Sequence, residues 1–366
     1  MQLYIHIPFC HRICPYCSFY KHTPGNTDMR AFIKAIETEA QHYKEKLNAP
    51  PLTTLYIGGG TPSMLSRTLL DDLFTKLHDC FDLTQLKELT FEANPATFNL
   101  EKAKFFKQLG ITRISLGIQS FDDKILKTLG REHSRQQAID TIPLLREAGI
   151  PQINIDLMFS IPGQSLDSWR DTLETAISLK SDHISAYNLT YEEDTEFIDK
   201  LTSGEYIDDP ETNAKFFTLT QELLGNAGFE QYETSNYAKP GCKSHHNLSY
   251  WQGSEYLGLG PSAVSTIQST RWKNLPDTAG YIKQIEHVGH AQTEIENLSA
   301  EDLRIERIAL MLRTAEGIPL SILTETEQTT AQNIITEGMA TLTPSNQFTL
   351  TKPGSLLVDS IVEYLI

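Results

Sequence analysis

The first half of the chain alternates short apolar runs with longer amphipathic stretches. The apolar runs are rich in Ile, Leu, Phe and Tyr, a composition typical of strands that are buried on both faces of a parallel sheet. They cover residues 3–7, 53–59, 88–93, 113–119, 152–159 and 183–189. The pattern predicts six parallel strands, each followed by a helix.

The amphipathic stretches have the period of helices. Between the first two apolar runs, apolar residues recur at helical spacing from Phe32 to Leu47, and charged residues fill the opposite face. Asp28 is the expected N-cap of this helix. Further helices are predicted over residues 66–81, 100–109, 134–148 and 165–179.

Six strand–helix units predict an α/β fold. A closed eight-stranded barrel would need two more units, so the favoured architecture is an open, partial (β/α)6 barrel. Functional residues of such folds gather at the carboxyl ends of the strands. Polar or reactive residues stand at five of these ends, at Cys10, Gly58–Gly60, Glu92, Gln119 and Asp156. We therefore expect one functional site at this edge of the sheet.

The pattern changes after about residue 230. Residues 230–290 are rich in Gly, Tyr, His and Ser, whereas residues 300–315 and 329–341 have helical patterns and residues 340–351 predict a hairpin. Helices followed by a hairpin are similar to a winged helix. We expect two domains: residues 1–230 with the partial barrel, and residues 231–366 with a mixed, mostly helical fold.

Composition and charge limit the classes of function. Hydrophobic residues make up 40% of the 366 residues and charged residues 21%, as is typical of a folded protein. The formal net charge of −16 argues against a nucleic-acid partner, which requires a basic face. It leaves room for an anionic ligand in a local basic pocket.

The N-terminal residues lack the features of a secretory signal, and no apolar run approaches the length of a membrane span. We therefore expect a cytoplasmic protein. Five cysteines, an odd number in a reducing compartment, do not suit a disulfide framework. Cys80 and Cys242 stand alone and are expected to be buried or incidental thiols.

The other three cysteines, Cys10, Cys14 and Cys17, are crowded into eight residues and suit a metal centre. An iron–sulfur cubane held by three thiolates would keep one iron open for a small molecule. Incidental thiols or a structural zinc site are the alternatives. Zinc prefers four ligands, and the candidates for the fourth are His6, His11 and His22.

The Cys-x3-Cys-x2-Cys spacing resembles that of the radical S-adenosylmethionine (SAM) superfamily, whose three-cysteine loop follows the first barrel strand. The resemblance implies a [4Fe-4S] cluster whose open iron is chelated by the amino and carboxylate groups of SAM. It also implies that an electron passed to the sulfonium releases a 5′-deoxyadenosyl radical. The protein's part would be to hold cofactor and cluster together and to exclude water.

Residues 56–63 place three glycines directly after the second strand. Taken alone, such a run predicts only a tight turn. Beside the cysteines it is similar to the SAM segment of the superfamily, where backbone carbonyls receive the SAM ammonium, which makes Gly59, Gly60 and Thr61 candidates. Glu92 is a candidate for the amino acid part of SAM or for a ribose hydroxyl, and the alternative is that it caps the next turn.

Four further residues complete the predicted cofactor site. Gln119 and Arg131 are candidates for the ribose and the SAM carboxylate, with an exposed surface position as the alternative for Arg131. Asp156 lies in an otherwise apolar strand, so its charge needs a partner, either a protein donor or the ribose. Tyr4 is expected to stack or hydrogen-bond near the adenine and the cluster.

Six motifs together resemble the oxygen-independent coproporphyrinogen III oxidase group, namely YIHIPFCHRICPYCSF, GGGTPS, FEANP, SLGIQSF, LGREH and IDLMFSIPGQ. One branch of this group is a decarboxylating dehydrogenase of haem synthesis, and the other is the haem chaperone branch, HemW. The dehydrogenase resembles this chain but has a fourth cysteine where Phe19 stands, and a long N-terminal extension, whereas Cys10 lies close to Met1. Both departures favour the haem chaperone branch.

Residues 245–251, HHNLSYW, match the His-Asn-x-x-Tyr-Trp motif of that branch. Imidazole is a good axial ligand of haem iron, and aromatic rings offer faces to a porphyrin. His246 is the predicted haem ligand and His245 its competitor. The alternative is that His246 is a packed or hydrogen-bonded core residue.

The function we expect is that of a haem chaperone that binds haem, a [4Fe-4S] cluster and SAM and delivers haem to respiratory haem proteins. A homodimer is expected from the resemblance, and we also expect peripheral association with a membrane. The alternative function is that of an oxygen-independent coproporphyrinogen III oxidase in porphyrin biosynthesis. A radical SAM methyltransferase is a third hypothesis.

Overall fold

Twelve of the fifteen strands form one continuous sheet in the computed structural model, which describes residues 1–366. The strands, numbered along the chain, are β1 (Gln2–Ile7), β2 (Thr54–Gly59), β3 (Glu88–Ala93), β4 (Arg113–Gln119), β5 (Gln152–Phe159), β6 (His183–Asn188), β7 (Glu230–Gln231), β8 (Asn236–Ala238), β9 (Tyr256–Leu259), β10 (Val264–Ile267), β11 (Thr270–Asn274), β12 (Gln292–Asn297), β13 (Ile318–Pro319), β14 (Ala340–Leu342) and β15 (Gln347–Leu350). The helices are α1 (Met29–Lys46), α2 (Arg67–Cys80), α3 (Leu100–Gln108), α4 (Asp123–Thr128), α5 (Arg135–Glu147), α6 (Leu166–Ser178), α7 (Glu196–Thr202), α8 (Pro210–Asn226), α9 (His245–Trp251), α10 (Thr278–Val288), α11 (Ala300–Met311), α12 (Glu325–Thr336), α13 (Lys352–Ser355) and α14 (Val358–Leu365).

Strands β1 to β6 lie side by side in chain order and pair in parallel. They are the six strands that the apolar runs predicted. β1 and β6 do not pair with each other: β9 adds to the edge of β1 and β8 to the edge of β6. The sheet therefore remains open, and the predicted open α/β barrel is confirmed.

The predicted helices α1, α2, α3, α5 and α6 are all present and follow their strands in order. Asp28 caps α1, because its carboxylate accepts hydrogen bonds from the backbone N–H groups of Arg30 and Ala31. The sequence did not predict α8, which packs against α6.

The two faces of the sheet differ in chemistry. Along β1, Leu3, Ile5 and Ile7 are fully buried in the main hydrophobic core of 56 residues, together with residues of α1 and α2. Tyr4 and His6 alternate with them and line a cavity on the inner face. The inner face is unusually polar for a parallel sheet, since Glu92 on β3 and Asp156 on β5 also project into a cavity there.

Residues beyond 230 extend the sheet. β9 pairs in parallel with β1, with Gly258 opposite Tyr4, and β10, β11 and β12 continue from it as antiparallel strands. The sequence predicted none of these four strands. The same sheet contains residues from both sides of position 230, and the division into domains 1–230 and 231–366 stays a prediction.

A buried carboxylate joins α1 to this extension. Glu39 accepts hydrogen bonds from the backbone N–H of Gly260 at 2.9 Å, from Asn274 Nδ2 at 2.7 Å and from the Tyr281 hydroxyl at 2.6 Å. Glu39 is fully buried, and burial raises its pKa to about 7. All three donors follow residue 250, so the buried carboxylate of the first helix depends on the C-terminal residues for its hydrogen bonds.

The last part of the chain has a second hydrophobic core of 12 buried residues, between Ile308 and Leu365. It contains the predicted hairpin, formed by β14 and β15. Helix α11 agrees with the prediction, but the helix predicted over 329–341 was wrong in its bounds. α12 spans Glu325–Thr336, because Thr324 caps its start and residues 340–342 pair as a strand. Crossing a bilayer takes about twenty consecutive apolar residues in a helix, and no helix of the chain meets that requirement.

Candidate functional site

The three crowded cysteines lie in an irregular loop directly after β1. The base of the loop is closed by two backbone hydrogen bonds, from Cys10 N–H to His22 O at 3.0 Å and from His22 N–H to Pro8 O at 2.8 Å. Cys10, Cys14 and Cys17 are all half-buried and line one cavity of about 520 Å³, which we call the cysteine cavity. Residues at the carboxyl ends of β2 to β6 line the same cavity.

The thiols lie among few polar neighbours. The Thr61 hydroxyl donates to Cys10 Sγ at 3.6 Å, and Arg131 Nη1 donates to Cys14 Sγ at 3.5 Å. Burial raises the pKa of the Cys10 and Cys17 thiols. No three His, Cys, Asp or Glu side chains converge on a point where a single metal ion would bind. The three cysteines instead line one larger cavity.

The glycine segment is fitted against the cysteine loop. The backbone N–H groups of Gly60 and Thr61 donate to Ile7 O and Phe9 O, both at 2.7 Å. A Cβ on Gly60 would lie 2.7 Å from the Phe9 carbonyl oxygen, so only glycine allows this approach. The segment therefore fixes the backbone immediately before Cys10, and Gly59, Gly60 and Thr61 all line the cysteine cavity.

Glu92 connects the strands at the floor of the cysteine cavity. Its Oε1 accepts from the Tyr56 hydroxyl at 2.7 Å and its Oε2 from the backbone N–H of Gly59 at 2.9 Å. The carboxylate thus bonds to the neighbouring strand β2 rather than capping the turn after β3. Burial raises the pKa of Glu92 to about 7, so the group is close to its titration range at neutral pH.

Asp156 has protein partners, as a charge in an apolar strand requires. Its carboxylate accepts from the Ser115 hydroxyl at 2.9 Å and from Asn154 Nδ2 at 2.7 Å. Burial raises its pKa. The side chain still lines the cysteine cavity, so protein donors hold it in place beside the space where a ligand would lie.

Two residues of the cysteine cavity keep unused polar atoms. Gln119 ends β4 with a φ of 70° at a break in the strand register, and its buried Oε1 has no hydrogen-bond partner. Arg131 is half-buried and donates to Asn94 Oδ1 at 2.6 Å, which excludes the exposed surface position, while its buried Nε also lacks a partner. Buried polar atoms are usually paired. Twelve side-chain atoms of this chain are exceptions, and these two belong to residues that line the cysteine cavity, as expected beside a polar ligand.

These observations fit a [4Fe-4S] cluster with SAM. Three thiols suit the cluster, and the two unpaired atoms lie in the same cavity, so they can meet the polar ends of an amino acid and a ribose. All three cysteines line this cavity. So do seven further residues that the sequence predicted for the cofactor site: Gly59, Gly60, Thr61, Glu92, Gln119, Arg131 and Asp156.

Tyr4 and His246 lie elsewhere. They line a second cavity of about 870 Å³, which we call the aromatic cavity. Six tyrosine and phenylalanine side chains line it: Tyr4, Phe19, Tyr20, Tyr56, Tyr250 and Tyr256. The Tyr4 hydroxyl hydrogen-bonds with His6 Nδ1 at 2.9 Å. The structure therefore does not place Tyr4 with the residues predicted to contact SAM.

His246 is a buried, hydrogen-bonded residue in this structure. Its Nδ1 lies 2.8 Å from Thr54 Oγ1 and its Nε2 lies 2.9 Å from the Tyr250 hydroxyl. Burial lowers the pKa of His246 to about 4, which keeps the imidazole neutral. His245 is exposed and does not line the cavity.

Glu88, at the start of β3, positions His246 and was missed by the sequence analysis. Its carboxylate accepts from the Ser244 hydroxyl at 3.1 Å, from the backbone N–H of His245 at 2.7 Å and from that of His246 at 3.3 Å. It therefore caps the beginning of α9. The only signal in the sequence is an acidic residue at the first position of an apolar run that predicts a strand.

Tyr56 was also missed, although it lines both cavities. Its hydroxyl donates to Glu92, and its ring centre lies 5.1 Å from that of His246. Alternation along β2 places Tyr56 on the same face as Gly58, which was the available signal. Ser18 and Phe19 line both cavities as well, so the two spaces are direct neighbours.

Comparison with known proteins agrees with this geometry. Residues 4–176 match the radical SAM superfamily. The haem chaperone HemW of Bacillus subtilis is 35% identical over 317 residues, covering 86% of this chain and 84% of the relative. HemW of Mycobacterium tuberculosis (strain H37Rv) is 33% identical over 368 residues, covering 100% of this chain and 94% of the relative.

Among solved structures, coproporphyrinogen III oxidase (HemN) from Escherichia coli, a radical SAM enzyme, superposes with a TM-score of 0.85 at 22% sequence identity. The superposition covers 100% of this chain and 89% of that chain, and it shows the shared fold. Radical SAM proteins as a class carry a [4Fe-4S] cluster and SAM, in agreement with the residues that line the cysteine cavity. On the strength of the sequence identities and the extent of coverage, the chain belongs to the HemW family within the radical SAM superfamily.

Proposed function

We propose that this protein is a haem chaperone, which holds a [4Fe-4S] cluster and SAM in the cysteine cavity and haem in the aromatic cavity and delivers haem to respiratory haem proteins. The observation that carries the proposal is the family: haem chaperones are 33–36% identical to this chain over most of its length. The position of His246 on the wall of an aromatic cavity supports it.

In the cysteine cavity, Cys10, Cys14 and Cys17 would ligate the cluster. Gly59, Gly60 and Thr61 would offer backbone oxygens to the SAM ammonium, and the remaining candidates for SAM are Glu92, Gln119, Arg131 and Asp156. When bound, cluster and SAM supply one-electron chemistry at the sulfonium. The Arg131 guanidinium would pair with a carboxylate, and the hydrogen bonds to Tyr56 and Gly59 keep the Glu92 carboxylate fixed in the cavity.

In the aromatic cavity, His246 would ligate haem iron. Burial keeps its imidazole neutral, which is the form that binds metals. Because Nδ1 hydrogen-bonds with Thr54, Nε2 would be the atom offered to the iron, in place of its hydrogen bond with the Tyr250 hydroxyl. Tyr250 lines the same cavity and would offer its ring to the porphyrin.

The experiment is a haem titration of the anaerobically reconstituted protein, followed by the Soret band. We expect a shifted Soret band for the wild type, binding about tenfold weaker for His246→Ala, and binding unchanged for the exposed His245→Ala. A wild type that binds haem no better than an unrelated acidic protein would remove the proposal.

The similarity to HemN carries a second candidate function, that of a coproporphyrinogen III oxidase. The dehydrogenase branch has a cysteine at the position of Phe19, so this residue counts against the oxidase function. Phe19 is 69% exposed and lines both cavities. Anaerobic incubation with coproporphyrinogen III and SAM decides between the functions. Formation of protoporphyrinogen IX would support the oxidase, and its absence with an intact cluster would remove it.

The proposal extends to the setting of the protein. We expect a cytoplasmic homodimer that associates peripherally with membranes and whose residues 231–366 form the haem-handling domain. Light scattering measures the oligomeric state, and co-sedimentation with anionic vesicles measures membrane association. A monomer that stays in the supernatant would contradict this part without affecting haem binding.

A further inference from the structure

The aromatic cavity contains one cation without a partner. Four charged side chains line it: Glu255, Arg271, Glu306 and Arg307. Arg271 Nη2 donates to both carboxylate oxygens of Glu306, at 2.6 and 2.8 Å, so these two charges offset each other. Glu255 accepts from the backbone N–H of Gln268 at 2.8 Å. The guanidinium of Arg307 forms no hydrogen bond or ion pair within the chain.

Arg307 belongs to the cavity face of its helix. Leu303, Glu306, Arg307 and Leu310 all line the cavity, and their spacing of three, one and three residues places them on one face of α11. α11 packs against α9, the helix that carries His246. The helix packing therefore sets the backbone position of Arg307, and its exposed side chain lies at the rim of the cavity.

The cavity walls specify the shape and charge of an occupant. Tyrosine and phenylalanine rings favour a flat, largely apolar ligand. A cation without a counter-ion favours an anionic group, and an arginine fork matches the two oxygens of a carboxylate. The formal net charge of the whole chain is −16, so this preference is local to the cavity.

We propose that the aromatic cavity binds a flat macrocycle through its ring faces and that Arg307 recognises a carboxylate at the edge of the macrocycle. The inference rests on the proposed function, because haem is such a macrocycle and carries two carboxylates. It goes beyond that function by assigning a residue that distinguishes the acid from its uncharged esters.

The test compares two probes, haem and haem dimethyl ester. Both have the same macrocycle, but the carboxylates are blocked in the ester. Wild-type protein should bind haem about fivefold more tightly than the ester, as expected for one partly exposed charge pair. Arg307→Gln should weaken haem binding about fivefold and leave ester binding unchanged. The matched control is Arg170→Gln, an exposed arginine on α6 without a partner, which should change neither.

Circular dichroism confirms that each variant is folded, and Arg307→Lys, which keeps the charge but not the fork, should recover part of the haem affinity. Equal haem binding by wild type and Arg307→Gln overturns the inference and leaves the proposed function standing. Equal losses for haem and ester overturn it as well, because they indicate a packing role. A wild type that binds neither probe removes the proposed function and the inference with it.

Discussion

The cysteine cavity and the aromatic cavity share Ser18, Phe19 and Tyr56, but their other walls come from different parts of the chain. The cysteine cavity is built from the first 192 residues, mainly from loops and strand ends. The aromatic cavity joins β1 and β2 to residues 246–310. The first is rich in thiols, carboxylates and backbone groups, and the second in rings. One barrel edge thus carries reactive chemistry beside a space shaped for a flat ligand.

Because the two cavities are built from different contacts, substitutions should affect them differently. The cysteine cavity depends on a few backbone contacts, such as those that tie Gly60 and Thr61 to the residues before Cys10. The aromatic cavity depends on the placement of whole helices, α9 against β2 and β3 and α11 against α9. Changes confined to one set of contacts should therefore leave the other cavity working, which three predictions test.

The largest effect should follow replacement of all three loop cysteines by alanine. Without thiolates the protein should lose the whole of its iron–sulfur absorbance and iron content, because cysteine thiolates are the ligands that hold such clusters. Haem affinity should stay within about twofold of the wild type, since the aromatic cavity has no cysteine in its wall. Iron analysis after anaerobic reconstitution and a haem titration measure the two outcomes.

The control is the pair Cys80→Ala and Cys242→Ala, which lie outside both cavities and should keep the iron. Loss of haem binding in the triple variant would mean that the two cavities do not function separately.

An intermediate effect is expected for Glu88→Ala, which acts on the aromatic cavity alone. The change removes the hydrogen-bond acceptor of one hydroxyl and two backbone N–H groups at the start of α9. The free energy of unfolding should therefore fall by about 3 kcal/mol. Haem should bind about tenfold more weakly because the hydrogen bonds to Glu88 that hold the backbone at His246 are lost. Urea unfolding and haem titration provide the measurements.

Iron content should be unchanged in Glu88→Ala. The matched control, Glu174→Ala, removes an exposed acid on α6 and should alter stability by less than about 0.5 kcal/mol. If Glu88→Ala binds haem as the wild type does, Glu88 does not position His246.

The smallest effect concerns pH, and its sign differs between the cavities. Burial raises the pKa of Glu92 from 4.5 to about 7, so Glu92 takes up a proton on folding and its contribution to stability is lost as pH rises through that window. Burial lowers the pKa of His246 from 6.5 to about 4, so its contribution is lost as pH falls through that window. Each effect should be of the order of 1–3 kcal/mol.

Urea unfolding from pH 4.5 to 8 measures both slopes. Glu92→Gln should flatten the decline of stability towards high pH, and His246→Gln should flatten the decline towards low pH. Identical profiles for wild type and both variants would show that neither group titrates as its burial indicates.

The strands β1 to β6 were predictable because each is a continuous apolar run followed by an amphipathic helix. The cysteine cavity was predictable for the same reason, since Glu92, Gln119 and Asp156 stand at strand ends that a parallel sheet brings together. Strands β9 to β12 were not, because they are short and contain Gly, Ser and Thr. β9 forms by pairing with β1, some 250 residues away in sequence, and β10 to β12 continue the sheet from β9. No local pattern in the sequence indicates the distant partner of β9.

The aromatic cavity shows the same limit at the level of side chains. The motif at His246 predicted a functional role for that residue, but its place in the same cavity wall as Tyr4 follows from the packing of α9 against β2. Arg307 and Glu306 are neighbours in sequence with opposite charge, and only the fold decides that Glu306 is paired and Arg307 is not.

Glu39 has a consequence for anyone who wishes to study the barrel by itself. A polypeptide cut at residue 230 would lose Gly260, Asn274 and Tyr281, the three donors to this carboxylate, together with β9 and α10, which pack against α1. Glu39 would then be open to water, and so would the rings of Phe32 and Tyr43, which lie against Tyr281 and Trp272. An exposed apolar face of this kind favours aggregation, so the barrel should be prepared with the residues beyond 230 attached.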